Sequence, residues 1–304
     1  MSFFDRLVVA TLPLVPKPLV GVFSRPYIAG ARREEAIALV RRLNEAGMTA
    51  TIDVLGEHIT TLAEADAPRD AYLALLEAIH REGIRSNVSV KPTQFGLTLD
   101  EETCYRNLRA VLARAAELGN FVRLDMEDSS CTDATLRLYR RLRAEGFENT
   151  GVVLQAMLRR TLEDAVALGR VGARVRLCKG IYVEPRELAW RDREIVRKNY
   201  VLVLERLIDA GCHVGIATHD EDLVWEALRL VHLRSLPPTS YEFQMLLGVE
   251  EQLRGILVRS GHPLRVYVPF GEQWYAYSVR RLRENPRLAV TVARAALRGR
   301  RSGD

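Results

Sequence analysis

Lysine and cysteine are scarce in this 304-residue chain, and most short catalytic and metal motifs are missing. Only four lysines occur, Lys17, Lys91, Lys179 and Lys198, so 40 of the 44 basic residues are arginine. The four cysteines, Cys104, Cys131, Cys178 and Cys212, include no CxxC pair. That spacing excludes a readable zinc ribbon or disulfide framework and fits reduced thiols. The six histidines are scattered, with neither HxH nor HExxH, so no metal site is expected. GxSxG is absent, which removes the nucleophile-elbow signal. GxGxxG is absent too, which argues against a dinucleotide-binding doubly wound sheet. No apolar run reaches the length of a membrane span. The apolar start MSFFDRLVVATLPLVPKPLV carries Asp5, Arg6 and Lys17 and has no small-residue cleavage site. A secretory signal is therefore not expected, and a cytoplasmic location is.

Hydrophobic residues make up 48% of the chain and charged residues 27%, enough to bury a large core. The net charge is +5. Such a balance is compatible with a nucleic acid or an anionic membrane surface as partner. The arginines, however, are interleaved with Glu and Asp along helical stretches, without the clustered basic face that nucleic-acid binding needs. No nucleic-acid partner is expected, and peripheral membrane contact stays open.

Residues 1–46 read as helical: Phe3 to Leu12, Leu14 to Phe23 after Pro13, and an amphipathic helix from Ala31 to Ala46 with Ile37, Val40 and Leu43 on one face. From residue 47 onward a strand–loop–helix unit repeats. The strand candidates are 49–55, 87–91, 121–126, 151–155, 173–178, 213–218, 241–246 and 264–268. The helix candidates between them are 69–81, 101–118, 133–145, 161–168, 188–210, 222–233 and 250–259. Glycines at 83, 119, 146, 169 and 211 close several of these helices. Eight strands alternating with helices predict a parallel (βα)8 barrel. Its catalytic domain is expected over 47–304, with 1–46 as a helical appendage and a final helix over the carboxyl-terminal face.

Active sites of such barrels lie at the carboxyl ends of the strands. There the sequence places Ser89 and Lys91, then Asp125 with Glu127 and Asp128, Gln155, Arg176 with Cys178 and Lys179, Thr218 with His219 and Asp220, and Gln244. Each has a plain structural explanation: Lys91 and Asp125 as an ion pair between neighbouring strands, His219 as a satisfied core histidine. Six consecutive strands presenting charged or amide groups at one rim are harder to explain by stability, because unpaired buried charge costs several kcal/mol. After the last strand, Pro269 and Gly271 read as its break, and a helix from Gln273 is ended by Pro286. On it Tyr277, Arg280, Arg281 and Glu284 share a face. The two guanidinium forks suit a carboxylate or phosphate, and an Arg280–Glu284 ion pair is the plain alternative.

The motifs SVK ending at Lys91, LDMED from 124 to 128, VLQA around Gln155, RLCKGIY from Arg176 to Tyr182, ATHD through His219, YEFQML through Leu246, and RVYVPFG followed by YSVRRLRENP resemble the proline dehydrogenase family. The resemblance implies a distorted (βα)8 barrel of the short monofunctional bacterial type and FAD as cofactor. It implies oxidation of L-proline to Δ1-pyrroline-5-carboxylate, a quinone electron acceptor, and a separate pyrroline-5-carboxylate dehydrogenase downstream. By the same resemblance Arg280 and Arg281 clamp the proline carboxylate, and Lys91 faces the carboxylate side. Asp125 pairs with a clamp arginine. Tyr182, Tyr267 and Tyr277 line the pocket, and Leu246 lies against the pyrrolidine. Gln155, Arg176 and the backbone of Cys178 border the flavin ring. Thr218, His219, Gln244 and Glu284 hold the remainder of FAD. Ile181 departs from the small residue often found in KGxY. A Schiff-base lyase or aldolase using Lys91 or Lys179 is the rival reading on the same barrel.

Overall fold

A computed structural model describes residues 26–56, 59–275 and 277–278. The described elements run α1 (Arg33–Glu45), β1 (Thr49–Val54), α2 (Asp66–Arg81), β2 (Ser86–Val90), α3 (Glu101–Glu117), β3 (Val122–Leu124), α4 (Thr132–Ala144), β4 (Thr150–Gln155), α5 (Thr161–Gly169), β5 (Arg174–Cys178), α6 (Arg193–Asp209), β6 (His213–Ala217), α7 (Glu221–Leu233), β7 (Tyr241–Leu246), α8 (Glu251–Arg259) and β8 (Leu264–Phe270). The eight strands are parallel and close into a barrel in sequence order, with β8 pairing β1 from Thr49–Arg265 to Val54–Phe270. The expected (βα)8 architecture is what the chain adopts. The helices predicted over 3–12 and 14–23 lie outside the described residues.

The helices form because their apolar residues recur at helical spacing and bury against the sheet. In α2, Tyr72, Leu75, Leu76 and Ile79 are buried on one face, and in α1 Ala36, Ile37, Val40 and Leu43 are. The α1 helix packs against β1 and β8, where the ring of strands closes. The outward residues of the strands, such as Ile52, Val88, Leu124, Val152, Leu177, Ile216, Phe243 and Val266, meet these helices in one continuous core.

Two boundaries differ from expectation for local reasons. The helix expected from Leu188 begins at Arg193. Asp192 caps it, accepting from the backbone N–H groups of Glu194 (2.9 Å) and Ile195 (3.1 Å). Upstream, the Arg159 N–H donates to Leu188 O and the Trp190 N–H to Met157 O, an antiparallel bridge that follows a turn at 186–188 and keeps these residues out of the helix. The last strand does not stop before Pro269 but runs to Phe270. Pro269 lacks an N–H, yet its carbonyl accepts from Ala29 N (2.9 Å), and Gly271 N donates to Gly30 O (3.1 Å). Both glycines take φ of +135°, which a side chain would resist. Residues 26–30 thus lie along the end of β8. There Ile28, Leu55 and Tyr277 make a small apolar cluster with Tyr27 and Trp274 over the carboxyl-terminal rim.

The barrel interior is the unusual part. Such interiors are usually layers of branched aliphatic side chains. Here Arg176 on β5 reaches Ser89 Oγ on β2 (3.1 Å), Asp125 beyond β3 (2.7 Å) and Gln244 on β7 (2.5 Å). Bonds between strands that are not neighbours must cross the interior. Two glycines make the crossings feasible. A Cβ on Gly151 would collide with the Arg123 guanidinium, and one on Gly215 with the Gln244 amide.

Candidate active site

At the carboxyl end the strands converge on two buried ion pairs. Lys91, just past β2, donates to both carboxylate oxygens of Asp53 on β1, at 2.8 and 2.7 Å. Both side chains are almost wholly buried. Burial pushes the Asp53 carboxyl up from its ordinary range, and the Lys91 charge opposes that. Tyr72 on α2 completes this corner, donating to Ser89 O at 2.6 Å and accepting from Val54 N at 3.1 Å. The Lys91–Asp125 ion pair, the plain structural alternative for these two residues, is not what the structure shows, because Asp53 on the neighbouring strand takes the lysine. Asp53 was missed although it stands one residue from the end of β1, because its neighbours Ile52, Val54 and Leu55 are apolar and that strand reads as plain core.

Asp125 joins the second pair. Its Oδ1 accepts from Arg176 Nη1 at 2.7 Å and its Oδ2 from the Tyr267 hydroxyl at 2.7 Å. The Arg176 guanidinium also lies over the Tyr267 ring, 5.3 Å from its centroid. Burial, then the Asp125 charge, raises the Tyr267 phenol well above its ordinary value, so it stays a protonated donor. The chain of bonds continues downward. Gln244 accepts from Arg176 Nε and donates to Glu242 at 2.6 Å, and Glu242 accepts from Arg265 at 2.7 Å. Both ends of the Gln244 amide are occupied by protein.

Around this centre the structure gathers most of the remaining candidates. Gln155 is buried and donates to Met126 O (3.2 Å) and Glu127 O (3.1 Å), while its Oε1 is buried with no partner among the described residues. Cys178 pairs in register with Gln155, and burial pushes its thiol up to about 11, so it is no thiolate nucleophile. Thr218 is buried and accepts from Asp220 N (3.1 Å). His219 Nε2 accepts from the backbone N–H of Leu246 (2.8 Å), which leaves the ring proton on Nδ1 in the neutral form. Lys179 binds Asp220 (2.8 Å), which also receives Arg197 (2.9 Å). Burial raises Asp220, and those two cations outweigh it and hold the carboxylate low. Tyr182 packs on the Met157, Leu158 and Ala189 cluster, and Ile181 is exposed. Tyr277 is buried against Leu55 at the rim. Arg280, Arg281 and Glu284 lie outside the described residues.

The lysine-based alternative fares poorly on geometry. Both Lys91 and Lys179 donate to a carboxylate, where a Schiff base needs an amine free to attack a carbonyl. No group of three or more His, Cys, Asp or Glu among the described residues is placed to hold a metal ion. No helix among them is long and apolar enough to cross a membrane.

A protein-family model described as proline dehydrogenase matches residues 36–294. The proline dehydrogenase of Deinococcus radiodurans is 37% identical over 302 residues, 95% of this chain and 97% of the relative. Proline dehydrogenase 1 of Bacillus subtilis is 35% identical over 275 residues, 90% of this chain and 91% of the relative. Among solved structures, proline utilization A (PutA) from Bdellovibrio bacteriovorus, inactivated by N-propargylglycine, superposes with a TM-score of 0.81 at 27% identity. That match covers 87% of this chain and 32% of the larger protein.

Proposed function

The chain belongs to the proline dehydrogenase family and oxidises proline in proline catabolism; we propose that it does so at the carboxyl end of the barrel, converting L-proline to Δ1-pyrroline-5-carboxylate with FAD as cofactor. The family match over 36–294 carries this reading. The Asp125–Arg176–Tyr267 constellation at that end supports the choice of this rim.

The residues present fit a flavin. Gln155 offers a buried acceptor without a partner, which suits a ring N–H. Arg176, His219, Thr218 and Lys179 supply hydrogen-bonding and cationic groups on the neighbouring strand ends β5 and β6. Gln155, Arg176 and the Cys178 backbone would border the ring. Thr218, His219, Gln244 and Glu284 would hold the rest. When bound, FAD would supply the hydride acceptor, with a quinone as the final electron acceptor.

The chain's own residues bind and orient. Arg280 and Arg281 clamp the substrate carboxylate in this reading, and two forks on one carboxylate fix which ring carbon is presented. Lys91, held by Asp53, stands on the carboxylate side. Asp125 keeps Arg176 and Tyr267 in place, so neither has to reorganise when substrate enters. Tyr182, Tyr267, Tyr277 and Leu246 wall the pyrrolidine from water. The substrate amine must be neutral so that its lone pair assists loss of hydride from the adjacent carbon. The barrel over 47–304 serves as one catalytic domain with 1–46 as its appendage. The product passes to a separate pyrroline-5-carboxylate dehydrogenase, and contact with the cell membrane is peripheral.

The test is the visible absorption spectrum of the purified protein before and after L-proline. A flavin spectrum that bleaches on addition of proline is expected. A protein that holds no flavin after reconstitution overturns the cofactor assignment. In Arg281→Met the proline KM should rise steeply with flavin retained, and loss of flavin in its place would defeat the clamp assignment.

A further inference from the structure

The amino-terminal mouth of the barrel, opposite the proposed active site, opens into a cavity of about 540 Å³. Four arginines line it: Arg123 on β3, Arg174 on β5, Arg265 on β8 and Arg85 just before β2. Glu242 on β7 is the one acidic side chain among the lining residues. That carboxylate is already neutralised, because Arg265 donates to it at 2.7 Å. Burial alone would raise it, but the Arg265 charge and hydrogen bond outweigh burial and hold Glu242 at about 2.

Among the described residues no carboxylate pairs with Arg123 or Arg174. Arg123 is 2% exposed, and its hydrogen bonds run from one nitrogen to the backbone carbonyls of Val152 and Arg174. Its Nε is buried with no partner among the described residues. The two guanidinium groups share one ring: Arg123 lies 4.9 Å and Arg174 5.0 Å from the Phe121 centroid. Phe121 orients two like charges beside the cavity and neutralises neither. His213 also lines the cavity, and its Nδ1 is buried with no partner among the described residues. A buried cation with no counter-ion is costly, and its neighbours here add repulsion. Burial first, then Arg176, Arg174 and Arg265, push Arg123 down to about 9, still protonated at neutral pH.

We propose that this mouth is a binding site for a doubly charged oxyanion of the phosphate class, held by Arg123 and Arg174 with His213 beside them. Two arginines that lack a carboxylate match the charge of a phosphate dianion, and guanidinium forks match its oxygens. The cavity holds several times the ~30 Å³ of a water, so it admits free phosphate or the phosphoryl group of a small metabolite.

The experiment is thermal unfolding and isothermal titration of the intact protein. Inorganic phosphate and glycerol 3-phosphate are titrated in parallel against chloride at equal ionic strength. A saturable rise of about 5 °C at a hundredfold excess over Kd is expected with at least one of them. The tighter of the two identifies the source. Arg174 is exposed, so Arg174→Gln should fold normally and bind at least ~10-fold more weakly. Arg123→Met should abolish binding while the unliganded protein is no less stable, since an unneutralised buried charge is removed. Absence of a saturable shift with both anions overturns the site. So does an equal shift in wild type and Arg174→Gln, which marks an adventitious ion only.

Discussion

The two ends of one barrel interior keep opposite electrostatic accounts. At the carboxyl end Asp53 is matched by Lys91 and Asp125 by Arg176, and Tyr267 and Ser89 take up the remaining bonds. At the amino end four arginines, Arg85, Arg123, Arg174 and Arg265, stand against one glutamate. The ends are joined by the bonds from Arg176 through Gln244 to Glu242 and Arg265. The difference separates two uses of buried charge. A balanced set costs desolvation but holds its geometry, as a preorganised reaction site requires. An unbalanced set is a stored attraction for a ligand of the other sign. At the carboxyl end Lys91 and Arg176 are each committed to a carboxylate, which is compatible with the proposal that Arg280 and Arg281 form the clamp for the substrate carboxylate.

The largest expected effect comes from unbalancing the balanced end. Lys91→Met leaves Asp53 buried without its partner, which should cost about 3–5 kcal/mol in denaturant-unfolding free energy. Lys91 is what opposes the rise of the Asp53 carboxyl, so in the variant that group should hold its proton to higher pH. A carboxyl raised in the folded state loses stability as pH climbs, so the variant should be least impaired at low pH. The double variant Lys91→Met/Asp53→Leu should recover most of the loss. If the single variant is as stable as the double one, the pair is not the keystone described above.

A second test sharpens the contrast through activity. Arg176 holds Asp125, Gln244 and Ser89 at once, and its guanidinium covers the Tyr267 ring. Arg176→Met should lower kcat/KM for proline by about 10²–10³, the usual effect of removing one preorganised electrostatic group. An exposed arginine in a surface pair, Arg137 with Glu101, serves as control. Surface pairs are worth little, so Arg137→Gln should stay within about twofold. Equal losses in both variants would show that Arg176 has no special place.

Much of the fold was legible because periodicity reports it directly. The strand over 241–246 and the buried face of Tyr72, Leu75, Leu76 and Ile79 appear as read. The misreadings have local causes, since Asp192 caps its helix late and Pro269 is carried inside β8 by carbonyl bonds alone. For the site, the strand-end rule found Lys91, Asp125, Gln155, Arg176, His219 and Gln244, but it could not say which would meet. Partners across a barrel depend on strand tilt and stagger, which composition and spacing do not encode. That is why the plain alternative named Asp125 as the partner of Lys91 and did not name Asp53. The amino-end arginines escaped notice for a different reason. Arg123, Arg174 and Arg265 alternate with apolar residues, as any strand with one solvated face would. Only closure turns that face inward.

The smallest expected effect is a pH dependence at the unbalanced end. His213 faces Glu242, which favours its charged form, and Arg174, Arg123 and Arg265, which oppose it. Burial is the largest influence, and the net result pushes the imidazole down to about 4. The folded protein therefore holds His213 neutral, while the unfolded chain takes up a proton near pH 6.5. Stability from this residue is complete above that pH and drains as pH falls from 6.5 toward 4, by roughly 3 kcal/mol at most. Carboxylates titrate in the same window, so the informative quantity is the difference between wild type and His213→Asn. Between pH 7 and pH 4.5 the variant should lose about 2 kcal/mol less unfolding free energy than wild type. Saturating phosphate should narrow that difference, because an oxyanion beside the imidazole favours its charged form and lifts its pKa toward the unfolded value. Parallel pH profiles for the two proteins would mean that the imidazole is not held neutral by the cationic mouth, and the contrast between the two ends would then rest on the arginines alone.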